Sequence, residues 1–355
     1  MNSVRASAPQ LADVTPYDPK YLPAEAYLSA NENPSDVAAE IRQEVKRELN
    51  KVQFNRYPDP LANELRDMIA EANGLDRDQV LMGNGGDELL FNIALCWGGP
   101  GRKFLNMPPT FSVYENNAQL TNTEVVNIPR RDDYSIDEEA VLARVAEGDI
   151  DYVIVTSPNN PTGDLASDAF VLKLLDATDA LVLVDEAYFE FSRGTMRPYL
   201  AQHKNLLILR TFSKAFSLAG VRMGYLLGNA EVIREFLKVR QPYSVDSVSQ
   251  AIARVVYRNR AKFEHGIMQI IDERTRVYQA LCEIDGVTAY PSHANYILFH
   301  VEGADVVWQK LYDRGILVRD FSHAPLMEMC LRVSIGSPEE NDRFLNALRE
   351  IIAAK

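Results

Sequence analysis

The chain has 355 residues, of which 46% are hydrophobic and 25% are charged. This is the usage of a globular protein, and the length is sufficient for one large core and a second, smaller one. Lys and Arg together number 37 against 50 Asp and Glu, which gives a net charge of −13. Because so acidic a chain has no basic tract, composition argues against nucleic acid or an anionic membrane as its main partner.

Three further features narrow the class of protein. The amino-terminal segment lacks the apolar block of a secretory signal, and no run approaches the roughly 18 apolar residues of a membrane span. The cysteines Cys96, Cys282 and Cys330 are far apart and odd in number, so we expect reduced thiols in a cytoplasmic protein. The histidines show no metal-ligand spacing, and no metal site is predicted.

In chain order, prolines interrupt residues 1–35, which predicts an irregular arm that lies on another part of the molecule. Apolar residues at four-residue spacing, Ile41, Val45 and Leu49, then predict a helix. From about residue 60, helical stretches alternate with short apolar runs, which predicts an α/β fold with a mostly parallel sheet covered by helices on both faces. The predicted strands are 80–82, 103–107, 124–128, 152–156, 181–184, 206–210 and 225–227.

The pattern changes after about residue 240. A long helical stretch over 248–281, with a possible break at Gly266, precedes short strands and helices that end in a helix from Pro338. This order predicts a smaller α+β domain, connected to the large domain by the long helix. The predicted division is an arm over 1–35, a large domain over 36–240 and a small domain over 241–355.

Five of the predicted strands run directly into polar or glycine-rich segments. Ligands bind at the carboxyl ends of strands in an open α/β sheet, so we expect these segments to meet at one site. The glycine-rich segment 83–88 would present backbone N–H groups at a helix start, which favours a phosphate by about 0.3–2 kcal/mol. A plain structural turn is the alternative. The other four segments are 108–111, 157–163, 185–188 and 211–214.

Two charged residues in these segments carry the chemistry. Asp185 closes an apolar run and should be buried, where a carboxylate needs a cation or several donors. A helix cap or a salt bridge would satisfy it, as would a cationic ring nitrogen. Lys214 follows another apolar strand, which predicts a desolvated amine with a lowered pKa that attacks carbonyl carbons. Arg222 is spaced to reach the same anion as Ser213, so the pocket is predicted to hold a phosphate and an aldehyde.

Several segments resemble the signatures of fold-type I pyridoxal-phosphate aminotransferases: NNPTG at 159–163, DEAY at 185–188, and SKAF at 213–216 together with Arg222. Further segments narrow the resemblance to the histidinol-phosphate aminotransferase family, and it extends over about residues 15 to 350. These segments are 31–34, 56–59, 210–216 and 331–336. The resemblance implies the fold-type I architecture, pyridoxal 5′-phosphate as the cofactor and a homodimer with a shared active site.

By this resemblance, Lys214 would bind the aldehyde carbon of the cofactor and then carry the proton between substrate and cofactor. Asp185 would pair with the protonated ring nitrogen and keep the ring an electron sink. Asn160 and Tyr188 would donate hydrogen bonds to the phenolic oxygen of the ring, and Phe111 would lie on the ring face. The residues implied to hold the phosphate are Gly86, Asp87, Ser213, Arg222 and, from the neighbouring subunit, Tyr57.

The resemblance also implies a substrate site. Arg332 and Arg319 would bind the anion of the substrate, because a guanidinium fits a carboxylate or phosphate with two parallel hydrogen bonds. Tyr17 and Asn31 on the amino-terminal arm would close over the substrate. A salt bridge is the alternative for Arg319, and simple packing is the alternative for Tyr17.

The implied reaction moves the amino group of L-histidinol phosphate to 2-oxoglutarate, giving imidazole-acetol phosphate and L-glutamate. An aromatic amino-acid aminotransferase and a threonine-phosphate-type decarboxylase would share the predicted cofactor site. A catalytically silent cofactor-binding domain is a further alternative. The presence of Lys214 together with every implied cofactor partner argues against that last alternative.

Overall fold

A computed structural model of the chain describes residues 4–5, 7–11, 14, 18 and 22–354. The strands of this part are β1 (Ala26–Leu28), β2 (Val80–Gly83), β3 (Lys103–Asn106), β4 (Glu124–Asn127), β5 (Tyr152–Thr156), β6 (Leu181–Asp185), β7 (Leu206–Thr211), β8 (Gly224–Gly228), β9 (Val287–Ala289), β10 (Tyr296–Val301), β11 (Ile316–Asp320) and β12 (Cys330–Ser334). Its α-helices are α1 (Ala39–Leu49), α2 (Asn63–Asn73), α3 (Gly85–Trp97), α4 (Val113–Leu120), α5 (Glu138–Val145), α6 (Asp168–Ala177), α7 (Phe189–Ser192), α8 (Ala230–Phe236), α9 (Ser247–Arg258), α10 (Glu264–Cys282), α11 (Ala304–Tyr312) and α12 (Pro338–Ala353).

The larger sheet has seven strands in the order β2-β8-β7-β6-β5-β3-β4. Neighbouring strands from β4 to β7 are parallel, whereas β8 is antiparallel to both β7 and β2. A parallel connection needs a crossover, usually a helix, and the segment 212–223 between β7 and β8 contains no α-helix. This short connection turns the chain back and leaves Lys214 and Arg222 at the carboxyl end of β7.

Helices cover both faces of this sheet, because its central strands β5, β6 and β7 are apolar up to their polar carboxyl ends. Within β6, Val182 and Val184 pack into the cluster formed with α1, α2, α5, α6 and α9, while Leu181 and Leu183 pack with α3, α4 and α8. Successive side chains of a strand point to opposite faces, so a continuous apolar run supplies both cores. The predicted α/β fold with a mostly parallel sheet between helices is confirmed.

The smaller sheet has the order β1-β11-β12-β10-β9 and packs against α10, α11 and α12. Its first strand corrects one prediction: residues 1–35 were expected to be irregular, but Ala26–Leu28 pairs in parallel with Ile316–Val318. Ala26 and Leu28 are buried in the smaller core. A strand of three residues is too short to show its own period, so only the neighbouring strand identifies it.

The long helical stretch predicted over 248–281 is two helices, with the break at residues 259–263 and not at Gly266, which lies inside α10. Buried residues of α9 belong to the core of the larger sheet, and those of α10 to the core of the smaller sheet. The division of the chain at residue 240 stays a prediction. None of the helices in the described part of the chain combines the length and apolar character needed to span a bilayer.

Candidate active site

Asp185, the last residue of β6, lies buried at the carboxyl edge of the larger sheet, with 4% of its surface exposed. Its Oδ2 accepts a hydrogen bond from the Tyr114 hydroxyl at 2.7 Å, and its Oδ1 accepts one from the Ala187 N–H at 3.0 Å. Burial raises the pKa of the Asp185 carboxyl to about 6, although both hydrogen bonds act in the opposite direction. The carboxylate is therefore held by neutral donors in the described residues, and its charge has no ion-pair partner among them.

Lys214 follows β7 on the same edge of the sheet. Its Nζ donates a hydrogen bond to the carbonyl oxygen of Ala30 at 2.8 Å and lies 6.0 Å from the centroid of the Tyr188 ring. Burial, helped by the positive charge of Arg332, lowers the pKa of the Lys214 amine to about 8. An amine with this pKa has a larger fraction of its nucleophilic free base near neutral pH than a surface lysine has.

Asn31 connects the amino-terminal arm to Tyr188. Its Nδ2 donates to the Tyr188 hydroxyl at 2.9 Å, while its backbone N–H donates to Ser334 Oγ at 2.9 Å. Asn295 Nδ2 donates to the Asn31 carbonyl at 3.0 Å. Asn31 has φ +56°, a left-handed conformation that asparagine tolerates better than most residues. These contacts hold the arm over the carboxyl edge of the sheet.

Arg332, on β12, is buried and reaches from the smaller sheet into the same region. Its Nη1 donates to Asn160 Oδ1, its Nη2 donates to the Ser29 carbonyl at 2.7 Å, and its guanidinium lies 5.0 Å from the Tyr296 ring centroid. Arg319 is the residue opposite Arg332 in the register of β11 and β12. Like charges directly opposite each other repel, so this pair of cations favours an anion nearby.

The start of α3 and the residues after β7 lie close together and form the cradle in which a phosphate was predicted. Gly86 and Asp87 lie in the first turn of α3, where backbone N–H groups have no acceptor within the helix. Arg222 Nη2 donates to Asp87 Oδ2 at 2.9 Å, and the buried Ser213 Oγ accepts from Thr211 Oγ1 at 3.0 Å. Gly85 has φ +78°, and a Cβ there would lie 2.7 Å from Arg222 Nη2, so only glycine lets the arginine approach this closely.

The remaining predicted site residues lie in three different situations. The Phe111 ring meets the Tyr114 ring edge-on with centroids 5.6 Å apart, beside the site. Tyr57 lies on the surface with 80% of its area exposed and stacks on the Tyr243 ring at 4.4 Å, so its own chain leaves it facing outward. Tyr17 lies outside the described residues. None of the described residues forms a cluster of His, Cys, Asp and Glu suited to a metal ion.

Sequence reasoning missed Tyr114, Thr156 and the carbonyl group of Ala30. Tyr114 stands only three residues after the predicted site residue Phe111, so its nearness in the sequence could have identified it. No sequence pattern marks the Ala30 carbonyl, because a backbone acceptor is defined only by its position in space.

Comparison with known proteins gives the class of this chain. The family described as aminotransferase class I and II matches residues 26–348. Histidinol-phosphate aminotransferase 1 of Carboxydothermus hydrogenoformans is 39% identical over 99% of this chain and 100% of its own length. The histidinol-phosphate aminotransferase of Chlorobium chlorochromatii is 38% identical over 92% of this chain and 91% of its own. The crystal structure of histidinol-phosphate aminotransferase from Sinorhizobium meliloti in complex with pyridoxal-5′-phosphate superimposes with a TM-score of 0.90, at 24% identity and 99% coverage of both chains.

The chain therefore belongs to the aminotransferase class I and II family, and it is an enzyme of the fold-type I architecture. The predicted resemblance, fold and enzyme class are confirmed. So is the cofactor of this enzyme class, pyridoxal 5′-phosphate. The observed site fits the three parts of the cofactor. The cradle at α3 suits the phosphate, the buried Asp185 carboxylate suits the ring nitrogen, and the desolvated Lys214 amine suits the aldehyde.

Proposed function

We propose that this chain is a histidinol-phosphate aminotransferase of the cytoplasm, active as a homodimer. It would take the amino group of L-histidinol phosphate and pass it to 2-oxoglutarate, giving imidazole-acetol phosphate and L-glutamate. The observation that carries the proposal is that Arg319 and Arg332 are register partners across β11 and β12, which puts both side chains on the same face of the smaller sheet. Such a pair suits the phosphate of the first substrate and a carboxylate of the second.

Bound pyridoxal phosphate supplies an electron sink for the charge that develops at the α carbon of the substrate. The Lys214 amine would bind the aldehyde carbon and, once displaced by the substrate, would take and return the proton at that α carbon. While Lys214 is displaced, its ammonium form would donate a hydrogen bond to the Ala30 carbonyl oxygen. Asp185 would hold the proton on the ring nitrogen.

Two side chains would orient the ring through its phenolic oxygen. Asn160 Oδ1 accepts from Arg332, so its Nδ2 is the end of the amide left for the cofactor. The Tyr188 hydroxyl accepts from Asn31 Nδ2, which directs the proton of that hydroxyl away from the arm. Phe111 would cover the ring face. Catalysis would then rest on Lys214, Asp185 and Tyr188 acting on a ring that is held still.

The phosphate of the cofactor would bind in the cradle described above. Gly86 and Asp87 would contribute backbone N–H groups, Ser213 a hydroxyl and Arg222 a guanidinium. Tyr57 would complete the cradle of the partner subunit, which fits its exposed position. In the substrate site, Arg332 and Arg319 would bind the anion, and Asn31 and Tyr17 would close over it.

Half-reaction rates test the substrate. We expect purified, cofactor-loaded protein to convert L-histidinol phosphate faster than phenylalanine or threonine phosphate, read from the absorption band of the cofactor. A preference for phenylalanine of more than tenfold, about 1.4 kcal/mol in the transition state, would contradict the proposed substrate. Release of carbon dioxide from threonine phosphate would instead select a decarboxylase.

Hybrid dimers test the shared site. When Tyr57→Phe and Lys214→Ala chains are mixed, one site of each hybrid carries both changes and the other carries neither. Activity should therefore rise on mixing above the average of the two parent proteins. If Tyr57 acted within its own chain, each site would keep one defect and mixing would bring no gain.

A further inference from the structure

The Tyr114 hydroxyl contacts the Asp185 carboxylate, and the proposed function gives it no role. Tyr114 is in the first turn of α4 and is 2% exposed. Its hydroxyl donates to Asp185 Oδ2 at 2.7 Å and accepts from Thr156 Oγ1 at 2.9 Å. Thr156 ends β5 and is the parallel partner of Asp185 in the sheet. Adjacent strand ends therefore hold both contacts in a fixed geometry.

The direction of the two hydrogen bonds follows from counting protons. A hydroxyl has one proton to donate, and an ionised carboxylate can only accept. Because Thr156 gives its proton to Tyr114, the proton of Tyr114 points at Asp185. Burial and the charge of Asp185 hold the pKa of the Tyr114 phenol well above its usual value, so this donor stays protonated over the whole working range.

The other charges near Asp185 make this donor necessary. Burial and the negative charges of Asp87 and Glu186 raise the pKa of the Asp185 carboxyl, whereas Tyr114 and the Ala187 N–H lower it. The Ala187 N–H is fixed by the backbone, so Tyr114 is the side chain that offsets burial. A carboxyl that kept its own proton could not hold the proton of a ring nitrogen by charge.

We propose that Tyr114, oriented by Thr156, is a positioning residue that keeps Asp185 ionised and so leaves the shared proton on the ring nitrogen of the cofactor. The second half of this inference rests on the proposed function, because it requires the cofactor in the site. If the phenol is removed, the carboxylate gains proton affinity and the ring loses positive charge. A ring with less positive charge withdraws fewer electrons from the substrate.

The first experiment uses the cofactor-free chain, and so does not depend on the proposed function. The Asp185 carboxyl is titrated by ¹³C NMR in the wild type and in Tyr114→Phe. We expect a midpoint near the pKa of about 6 in the wild type. In the variant the midpoint should lie roughly one unit higher, since a donor to the charged form has been lost.

The second experiment uses the cofactor-loaded enzyme with ¹⁵N in the pyridine ring. In Tyr114→Phe the ring signal should move toward that of neutral pyridine, and the visible band of the lysine-bound cofactor should titrate at higher pH. The kcat of the half-reaction should fall about tenfold, with KM changed less than about threefold, as a one-unit shift in proton affinity predicts. These spectroscopic shifts separate positioning from a merely structural role.

Two further variants complete the design. Thr156→Val leaves the phenol in place but removes the group that orients it, so it should shift both signals in the same direction by less. Added to Tyr114→Phe, it should have no further effect on either signal, because Thr156 acts through the phenol. Tyr152→Phe removes another buried hydroxyl at the opposite end of β5 and should move neither signal. Should Tyr114→Phe fail to fold, Thr156→Val carries the test.

Unchanged carboxyl and ring signals in Tyr114→Phe would overturn the inference, even if kcat fell. So would equal shifts in Tyr152→Phe. A wild-type chain that takes up no pyridoxal phosphate would overturn the proposed function, and the carboxyl titration would still decide whether Tyr114 keeps Asp185 ionised.

Discussion

Asp185 and Glu186 are adjacent acids at the end of β6, both buried, and they lie in two differently built surroundings. Glu186 accepts hydrogen bonds from Arg210 Nε at 2.9 Å, from Thr195 Oγ1 at 2.9 Å and from the Met196 N–H at 2.7 Å. Asp185 accepts from a phenol and one backbone N–H. The chain supplies a cation to Glu186, whereas the donors it supplies to Asp185 among the described residues are neutral.

The comparison distinguishes an acid that has a cationic partner in the chain from an acid whose described partners are neutral. Burial raises the pKa of both carboxyls, but Arg210 acts against this at Glu186 with a full positive charge. Burying a carboxylate without a cationic partner costs free energy. Asp185 is such a carboxylate, and it lies at the sheet edge where ligands bind in this class of fold. Among the described residues Asp185 has no cationic partner, and this agrees with the proposed pairing with a cationic ring nitrogen.

The first prediction tests the role of the Asp185 charge. Asp185→Asn keeps the shape but removes the charge that would hold the proton of the ring nitrogen, so kcat/KM should fall by at least ~10²–10³-fold. The thermal stability of the cofactor-free chain should stay the same or rise, because an uncompensated charge has been removed. Half-reaction kinetics and thermal unfolding measure the two effects. A large loss of stability would mean that Asp185 is a structural acid.

The second prediction tests how much the Glu186 charge contributes to stability. Glu186→Gln leaves the Arg210 guanidinium buried without its counter-charge and should lower the free energy of unfolding by about 3–5 kcal/mol, measured in urea. The activity per folded molecule should change little. As a matched control, Glu186→Leu combined with Arg210→Met removes both charges and should recover much of the stability. A drop in activity without loss of stability would contradict this assignment.

The third prediction compares the two cations of the proposed substrate site. Arg332 is buried, so Arg332→Gln should raise KM for L-histidinol phosphate by roughly 30-fold or more, about 2 kcal/mol at least. Arg319 is more exposed, so Arg319→Gln should cost only a few-fold, in line with less desolvated pairs. Steady-state kinetics with each donor measures both. Equal effects would show that burial does not set their contributions.

The smallest effect concerns pH. The pKa of the Lys214 amine lies at about 8, below its usual value because of burial. Only the free base attacks an aldehyde, so the rate of cofactor uptake should rise with pH and level off above about pH 8. Stopped-flow absorbance of the cofactor-free chain measures this rate. A rate that still rises toward pH 10 would indicate a solvated lysine.

The strands of the larger sheet show which features the sequence alone predicted correctly. Apolar runs predicted β3, β5, β6 and β7 to within one residue, because strands buried on both faces need side chains of one kind. The place of Lys214 shortly after the buried strand β7 was predicted in the same way, whereas its role stays a prediction. The strand Ala26–Leu28 and the break at 259–263 were not found, since each depends on partners distant in sequence.

By itself, the sequence determined which residues end the strands, and therefore which side chains could meet at the carboxyl edge of the sheet. The tertiary structure alone decided what each of them meets there. Tyr114 reaches Asp185 across 71 positions of the chain, and Ala30 accepts from Lys214 across 184. Local sequence patterns predict helices, strands and turns from the spacing of hydrophobic and turn residues. A hydrogen bond between distant residues depends instead on the distance and angle between two groups in the folded chain.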